Sequence, residues 1–275
     1  MNYAPALLGT LEDVLRKEGM TYPPELLAKF KAGDAMDDEH RHYLLDGGEA
    51  GAYYHWLTLL ARHSDARLIL ELGNRYGMST IALFHGLRPD SRLVSVDVLK
   101  DQRYIPDIVY KDPRVKILTG DGLDLSMYPR QSTEIPFDID VFWTDTVHYY
   151  AQVSAEWAVY EPLLADECLV VVDDIRLHDK GKFFDEMPYE KVDLAALCHG
   201  NGFGVFWYKR PSAERGRSKE DRLHRASLKS MEIGYARYWT VQQDHDTLVN
   251  DLRNTGIVGK LRKSKHLLDI LRRKR

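Results

Sequence analysis

Three carboxylates and one imidazole stand where they could do chemistry. Asp145 follows the apolar run Asp140 to Thr144 (DVFWT), and the pair Asp173-Asp174 follows Cys168 to Val172 (CLVVV). Apolar runs of this length read as buried strands of a parallel sheet. Neighbouring strands lie about 4.8 Å apart, so acids at their carboxyl ends converge on one spot. Three carboxylates there repel one another unless a proton or a cation lies among them. Oxygen ligands alone favour a hard divalent ion, Mg2+ or Ca2+, over zinc. The plainer reading is helix caps and ordinary strand-end acids. His148 lies three residues past Asp145. An imidazole, with an ordinary pKa of about 6.5, can take a proton at neutral pH; beside Tyr149 and Tyr150 it can equally be a packing residue.

A second set of residues suits close approach of backbone to a ligand. In Ala66 to Ile81 (ARLILELGNRYGMSTI) the apolar residues Leu68, Ile69 and Leu70 end in Glu71, followed by Gly73 and Gly77. Ser79 and Thr80 then lead into the apolar helical run Ile81 to Phe84. In such a strand–turn–helix unit the glycines remove Cβ atoms that would block a ligand. The spacing is GxxxG and there is no Walker lysine, so pyrophosphate is not the favoured ligand. Glu71 favours a ligand with a positive or hydroxyl-rich edge. Asp97, near the end of Arg92 to Val98 (RLVSVDV), sits about 25 residues further on, where doubly wound folds place an acid for both ribose hydroxyls; capping the next helix is the alternative. After the third run, Val115 to Leu118, comes Thr119-Gly120-Asp121-Gly122. Asp121 can receive an adenine amino group while the glycines let the ring lie flat, or the four residues form a turn.

The elements that must position these groups alternate as in an α/β domain. Ahead of the first strand, helices are expected over Pro5 to Glu18, from Pro23 through Phe30, and over Ala52 to Arg62. His40 and His42 lack a carboxylate or cysteine partner at metal-binding spacing and read as a polar loop. A helix over Ala151 to Leu164 joins the two acid-tipped strands; a helix from Lys182 to Glu186, a short strand from Lys191 to Leu194 and a β-prone strand from Gly202 to Tyr208 complete the pattern.

At 275 residues and 44% hydrophobic content the chain can bury one large core with an appendage. The net charge of −4 hides an asymmetry: from Pro211 onward there are 16 Lys+Arg against 8 Asp+Glu, a balance of +8, so residues 1–210 carry −12. Pro211 to Glu220 is polar and loop-like, and the ending GKLRKSKHLLDILRRKR reads as a short amphipathic helix with a solvated basic face rather than a nucleic-acid or membrane contact. Two cysteines, Cys168 and Cys198, exclude a disulfide framework and point to a reducing compartment. No leader pattern and no run of membrane-spanning length is visible, so a cytoplasmic protein is expected.

The motif ELGNRYGMST, residues 71–80, resembles the first motif of class I S-adenosylmethionine-dependent methyltransferases, in the branch of catechol O-methyltransferase and the small-molecule O-methyltransferases. The acids after the fourth and fifth strands resemble the metal site of the catechol enzyme, with Asp174 in place of an Asn. Acidic pairs at this place also resemble those of the cephalosporin hydroxylase-like branch. His148 matches the position of the catechol enzyme's lysine base; the macrolide and sugar O-methyltransferases, which it resembles in this, use a His for the purpose, and the replacement of Lys puts catechol itself in doubt. The resemblance covers Tyr53 to Lys209. It implies a Rossmann-like fold, a mostly parallel seven-stranded sheet with an antiparallel final strand and helices on both faces.

The same resemblance implies a helical cap over 1–52, a methyltransferase domain over 53–210 and a basic helical extension over 211–275. S-adenosylmethionine would be held by Glu71, Gly73, Asn74, Gly77, Ser79, Asp97, Asp121, Gly122 and Asp145. Mg2+ or another hard dication would be held by Asp145, Asp173 and Asp174, with His148 and Asp145 catalytic. The expected activity is methyl transfer to a hydroxyl of a small molecule. An RNA-directed enzyme using the basic tail and a non-catalytic scaffold are the alternatives. The N-terminal helices or the extension would supply any contact of a homo-oligomer.

Overall fold

The computed structural model describes residues 13, 22–27, 51–99, 105–196 and 198–254. Asp13 is helical; the rest of the first expected helix, the His40/His42 loop and the basic ending from 255 lie outside the described residues. In chain order the elements are α1 (Pro24–Leu27), α2 (Gly51–His63), β1 (Leu68–Leu72), α3 (Met78–Gly86), β2 (Arg92–Asp97), α4 (Asp107–Tyr110), β3 (Val115–Thr119), α5 (Met127–Arg130), β4 (Ile139–Thr144), α6 (Tyr150–Tyr160), β5 (Leu164–Asp173), α7 (Lys180–Glu186), β6 (Lys191–Asp193), β7 (Phe203–Lys209) and α8 (Lys219–Asn254).

The strands form one sheet in the order β3-β2-β1-β4-β5-β7-β6. The first five are parallel, and β7 runs antiparallel to both β5 and β6. This is the expected fold class. It follows from the composition: all five residues of β1 and most of β4 and β5 are buried, the continuous apolar runs that a sheet covered on both faces requires. β1 is central and the chain reverses direction of winding beside it, between β1 and β4. That switch opens a crevice at the carboxyl edge of the strands.

Helices α2 and α3 cover one face together. Trp56, Leu57 and Leu60 join Ile81, Ala82 and Leu83 in the buried core. Their close crossing explains Gly86, where a Cβ would lie 2.0 Å from the Thr58 carbonyl oxygen. Thr58 Oγ1 donates to Ala82 O at 2.8 Å across the same crossing.

Two boundaries differ from expectation. The helix after the fourth strand ends at Tyr160 rather than Leu164. Pro162 has no N–H to continue the helix, and Glu161–Leu163 tightens into a 3-10 turn. β5 therefore starts at Leu164, absorbing a register irregularity opposite Ile139 and Val141.

The polar segment after β7 also differs. Its loop contains a 3-10 turn, Ser212–Glu214, and α8 starts inside it at Lys219. The larger compact unit runs through Ser230, past the expected division at 210. Arg222 is the physical reason: Nε donates to Pro162 O at 2.8 Å, the guanidinium also reaches Leu164 O, and Nη1 meets Asp138 at 3.0 Å. Ser230 Oγ accepts the Leu125 N–H and donates to Leu123 O. The second unit, from Met231, presents exposed Met231, Tyr235, Tyr238 and Trp239 on its helix. Among the described residues no helix is long and apolar enough to cross a membrane.

Candidate active site

The turn after β1 is built from the inside. Gly73 and Gly77 have φ of +84° and +92°. A Cβ on Gly73 would lie 2.0 Å from the Asp145 carbonyl oxygen, and one on Gly77 would lie 2.1 Å from Ile105 Cγ1. The chain's own packing thus demands both glycines, a reason independent of any ligand. The turn crosses the end of β4, joined to it by Asp145 N–H to Leu72 O at 2.8 Å. It is also tied to β2 by Gly73 N–H to Val96 O at 2.8 Å.

Asp97 holds this turn. Its Oδ2 accepts the N–H groups of Asn74 and Arg75 at 2.8 and 2.6 Å, and Oδ1 accepts that of Leu99 at 2.7 Å. Oδ1 keeps a lone pair for a further donor such as a hydroxyl. Asn74 is buried beneath the turn, with Nδ2 donating to Ser95 Oγ at 2.7 Å.

Glu71 is wholly buried and accepts from Thr80 Oγ1 at 2.6 Å. Burial pushes its carboxyl up to about 7; the hydroxyls of Ser79, Ser95 and Thr80 hold the rise back and Asp97 adds to it. Glu71 Oε1 and Asn74 Oδ1 are buried acceptors with no hydrogen-bond partner among the described residues. Such acceptors fit a ligand that carries an ammonium or amide donor.

Ser79 is buried at the start of α3. Asp121 and Gly122 follow β3. Gly120 N–H bonds to Asp97 O at 2.8 Å, which brings this loop beside the β2 end. Asp121 Oδ1 accepts the Leu123 N–H at 3.0 Å, so the turn reading holds for one of its oxygens. Gly122 O accepts from Tyr160 Oη at 2.6 Å.

The acids that follow β4 and β5 stand at adjoining strand ends. Thr144 and Val172 are register partners, so Asp145 and Asp173 leave adjacent strands side by side. Ligand atoms of Asp145, His148 and Asp174 lie within 4.8 Å of one another, as do those of Asp173, Asp174 and His199. His148 Nε2 is 2.8 Å from Asp174 Oδ2, and His199 Nε2 is 2.9 Å from Asp173 Oδ1. Tyr53 Oη donates to Asp145 Oδ2 at 3.4 Å. Lys180, at the start of α7, is wholly buried and donates to Thr144 O at 3.4 Å.

Burial raises Asp145 well above the carboxylate range; the charge of Asp173 adds to this and that of Lys180 opposes it. Asp174 rises to about 6, first from burial and then from Asp173. Burial, then the Lys180 ammonium, lowers His148, with Asp173 pulling the other way; the 2.8 Å contact to Asp174 also favours a proton between the two groups. Burial alone would lower His199, but its bond to Asp173 outweighs that and raises it.

Each of the two groups, Asp145 with His148 and Asp174, and Asp173 with Asp174 and His199, combines carboxylate oxygens with one imidazole nitrogen, donors that a divalent cation accepts. His199, Lys180 and Tyr53 were not singled out by the sequence. His199 lies in a turn, Lys180 begins a helix like any solvated lysine, and Tyr53 has helical core spacing. No local pattern marks them.

Comparison with known proteins bears on the domain and its fold. A methyltransferase-domain family model, Methyltransf_24, matches residues 70–175, which hold β1 through β5 and the acids at their ends. The chain is 25% identical over 124 residues to O-methyltransferase hkm8 of Aspergillus hancockii, 43% of this chain and 47% of that protein. It thus spans about half the length of the curated relative it matches.

Among solved structures, a methyltransferase from Geobacter sulfurreducens aligns with a TM-score of 0.52 at 18% identity, over 74% of this chain and 97% of its own. The O-methyltransferase TomG of Streptomyces achromogenes, solved with S-adenosylmethionine, gives 0.51 at 22% identity, over 72% and 96%. PaMTH1 of Podospora anserina, solved with S-adenosylhomocysteine, gives 0.50 at 16%, over 76% and 98%. These likenesses show the fold. The seven-stranded sheet is thus the fold of these methyltransferases, and the stretch matched by the methyltransferase-domain model, residues 70–175, carries the acids at its strand ends.

Proposed function

We propose that the chain is an O-methyltransferase that moves a methyl group from S-adenosylmethionine to a hydroxyl of a small molecule, assisted by a divalent cation and by His148 as base. One observation carries the reading: Asp145, His148 and Asp174 converge at the strand edge beside the turn whose Gly73 touches Asp145. A cofactor seated on that turn and an acceptor seated at the acids would be neighbours. The likeness to hkm8 and TomG, both named O-methyltransferases, supports oxygen as the acceptor atom.

The cofactor supplies an electrophilic methyl on a sulfonium. Asp97 would accept its ribose hydroxyls, Asp121 and Gly122 would face its adenine, and Glu71, Gly73, Asn74, Gly77 and Ser79 would shape the seat of its amino-acid end. Asp145, Asp173 and Asp174 would hold a hard dication such as Mg2+, whose chemistry is to lower the acceptor's pKa and orient it.

The residues then act in turn. With the cofactor bound, the acceptor oxygen would attack the methyl carbon as the carbon–sulfur bond breaks, releasing S-adenosylhomocysteine. His148 takes the hydroxyl proton. Its Nε2 faces Asp174, so Nδ1 is the accepting nitrogen, and the Asp174 carboxylate stabilises the imidazolium that forms. The body 53–210 would carry this machinery.

The test is S-adenosylhomocysteine formation over a panel of phenols, sugars and hydroxylated natural products, with metal-stripped and metal-restored protein. Turnover that is lost on stripping and restored by Mg2+ or Mn2+, and lowered by Asp145→Asn without loss of folding, supports the reading. Undiminished turnover by stripped protein in excess EDTA refutes the metal and leaves His148 as sole base.

A further inference from the structure

We infer that His199 is a direct ligand of the metal together with Asp173 and Asp174, and that the site therefore takes a first-row transition-metal dication in preference to Mg2+. The inference rests on the metal reading above and adds a nitrogen donor to it. Ligands sharing one ion at about 2.1 Å lie about 3 Å apart when adjacent and about 4 Å apart when opposite. The ligand atoms of Asp173, Asp174 and His199 fall within 4.8 Å of one another, close to that envelope.

The fold places the ring deliberately. Asp173 and Phe203 are register partners across β5 and β7, so the turn before β7 lies against the end of β5. That turn is closed by Gly202 N–H to His199 O at 3.1 Å and anchored by Arg176 N–H to Asn201 O at 2.7 Å. Tyr53 meets the His199 ring edge-on, at 5.0 Å between centroids and 88° between planes, and Phe203 stands at 6.5 Å and 82°. The aromatic rings limit its swing away from the carboxylates, and Nε2 is aimed at Asp173. Imidazole nitrogen suits transition-metal dications, whereas Mg2+ keeps to oxygen and dehydrates reluctantly.

The experiment titrates the metal-stripped full chain with Mn2+, measures Mg2+ by competition, and records pulsed EPR of the Mn2+ complex. Wild type is expected to show 14N coupling from bound imidazole that persists in His148→Asn and disappears in His199→Asn. Mn2+ affinity should fall about tenfold or more in His199→Asn, with Mg2+ affinity changed far less. Should that variant fail to fold, His199→Gln is read in its place. A 14N signal unchanged in both His199 variants, or none in wild type with Mn2+ bound, overturns the inference while the metal reading stands. No Mn2+ binding at millimolar concentration overturns the metal reading itself, and this inference with it.

Discussion

Glu71 offers a test of how the turn after β1 is built. Its carboxyl is wholly buried and titrates at about 7 instead of its ordinary 4.5. The folded protein therefore holds this proton more tightly than the unfolded chain. The stability it contributes is fully present below about 4.5 and is lost as pH rises through about 7. At 1.36 kcal/mol per pH unit the whole loss is about 3 kcal/mol, of which roughly 2–3 kcal/mol falls between pH 5 and 8.

Glu71→Gln removes the titration and keeps an oxygen for the Thr80 hydroxyl. Its amide N–H replaces Oε1, which already lacks a partner, at a pH-independent cost of about 1–3 kcal/mol. Urea unfolding followed by tryptophan fluorescence, at half-unit steps from pH 5 to 8, gives the stability of each protein. The difference between the two curves should shift in favour of Gln by roughly 2–3 kcal/mol across that window. Parallel curves would show that Glu71 does not titrate there, and the account of its burial would be wrong.

Other consequences are open to measurement. Gly73→Ala must take φ of +84° and place a methyl 2.0 Å from Asp145 O, so a loss of about 2–4 kcal/mol is expected on denaturation, together with weaker cofactor binding. A chain ended after Arg210 loses the Arg222 bonds to Pro162 and Leu164 and should be destabilised by about 3–6 kcal/mol, whereas one ended after Ser230 should melt close to the full chain. His148→Ala should lower kcat about 10²- to 10⁴-fold while calorimetry finds cofactor affinity unchanged.

What the sequence shows of this site depends on which contacts are local. Asp145, Asp173, Asp174 and Asp97 could be placed at one edge because each ends an apolar run, and parallel strands bring such ends together. Glu71 and the glycines were legible from strand-turn-helix spacing, though not the reason for Gly73, which is a carbonyl 72 residues away. His199 reaches Asp173 only through the antiparallel pairing of β7 on β5, and Lys180 only because α7 starts beneath the end of β4. Neither leaves a local pattern. The division after Ser230 was hidden likewise: Arg222 and Ser230 look like surface residues until Pro162, Leu123 and Leu125 are seen beside them.

The central claim is that S-adenosylmethionine binds at the β1–β2 edge, and calorimetric titration of the full chain with it, beside Asp97→Ala, tests this most directly. Asp97 holds the turn through Asn74 and Arg75, and under the proposed function Oδ1 would accept a ribose hydroxyl. Loss of hydrogen bonds to a charged group at about 1.5–3 kcal/mol predicts binding weakened roughly 10- to 150-fold, at one site per chain. Equal affinity in both proteins, or no binding by wild type, would contradict the account.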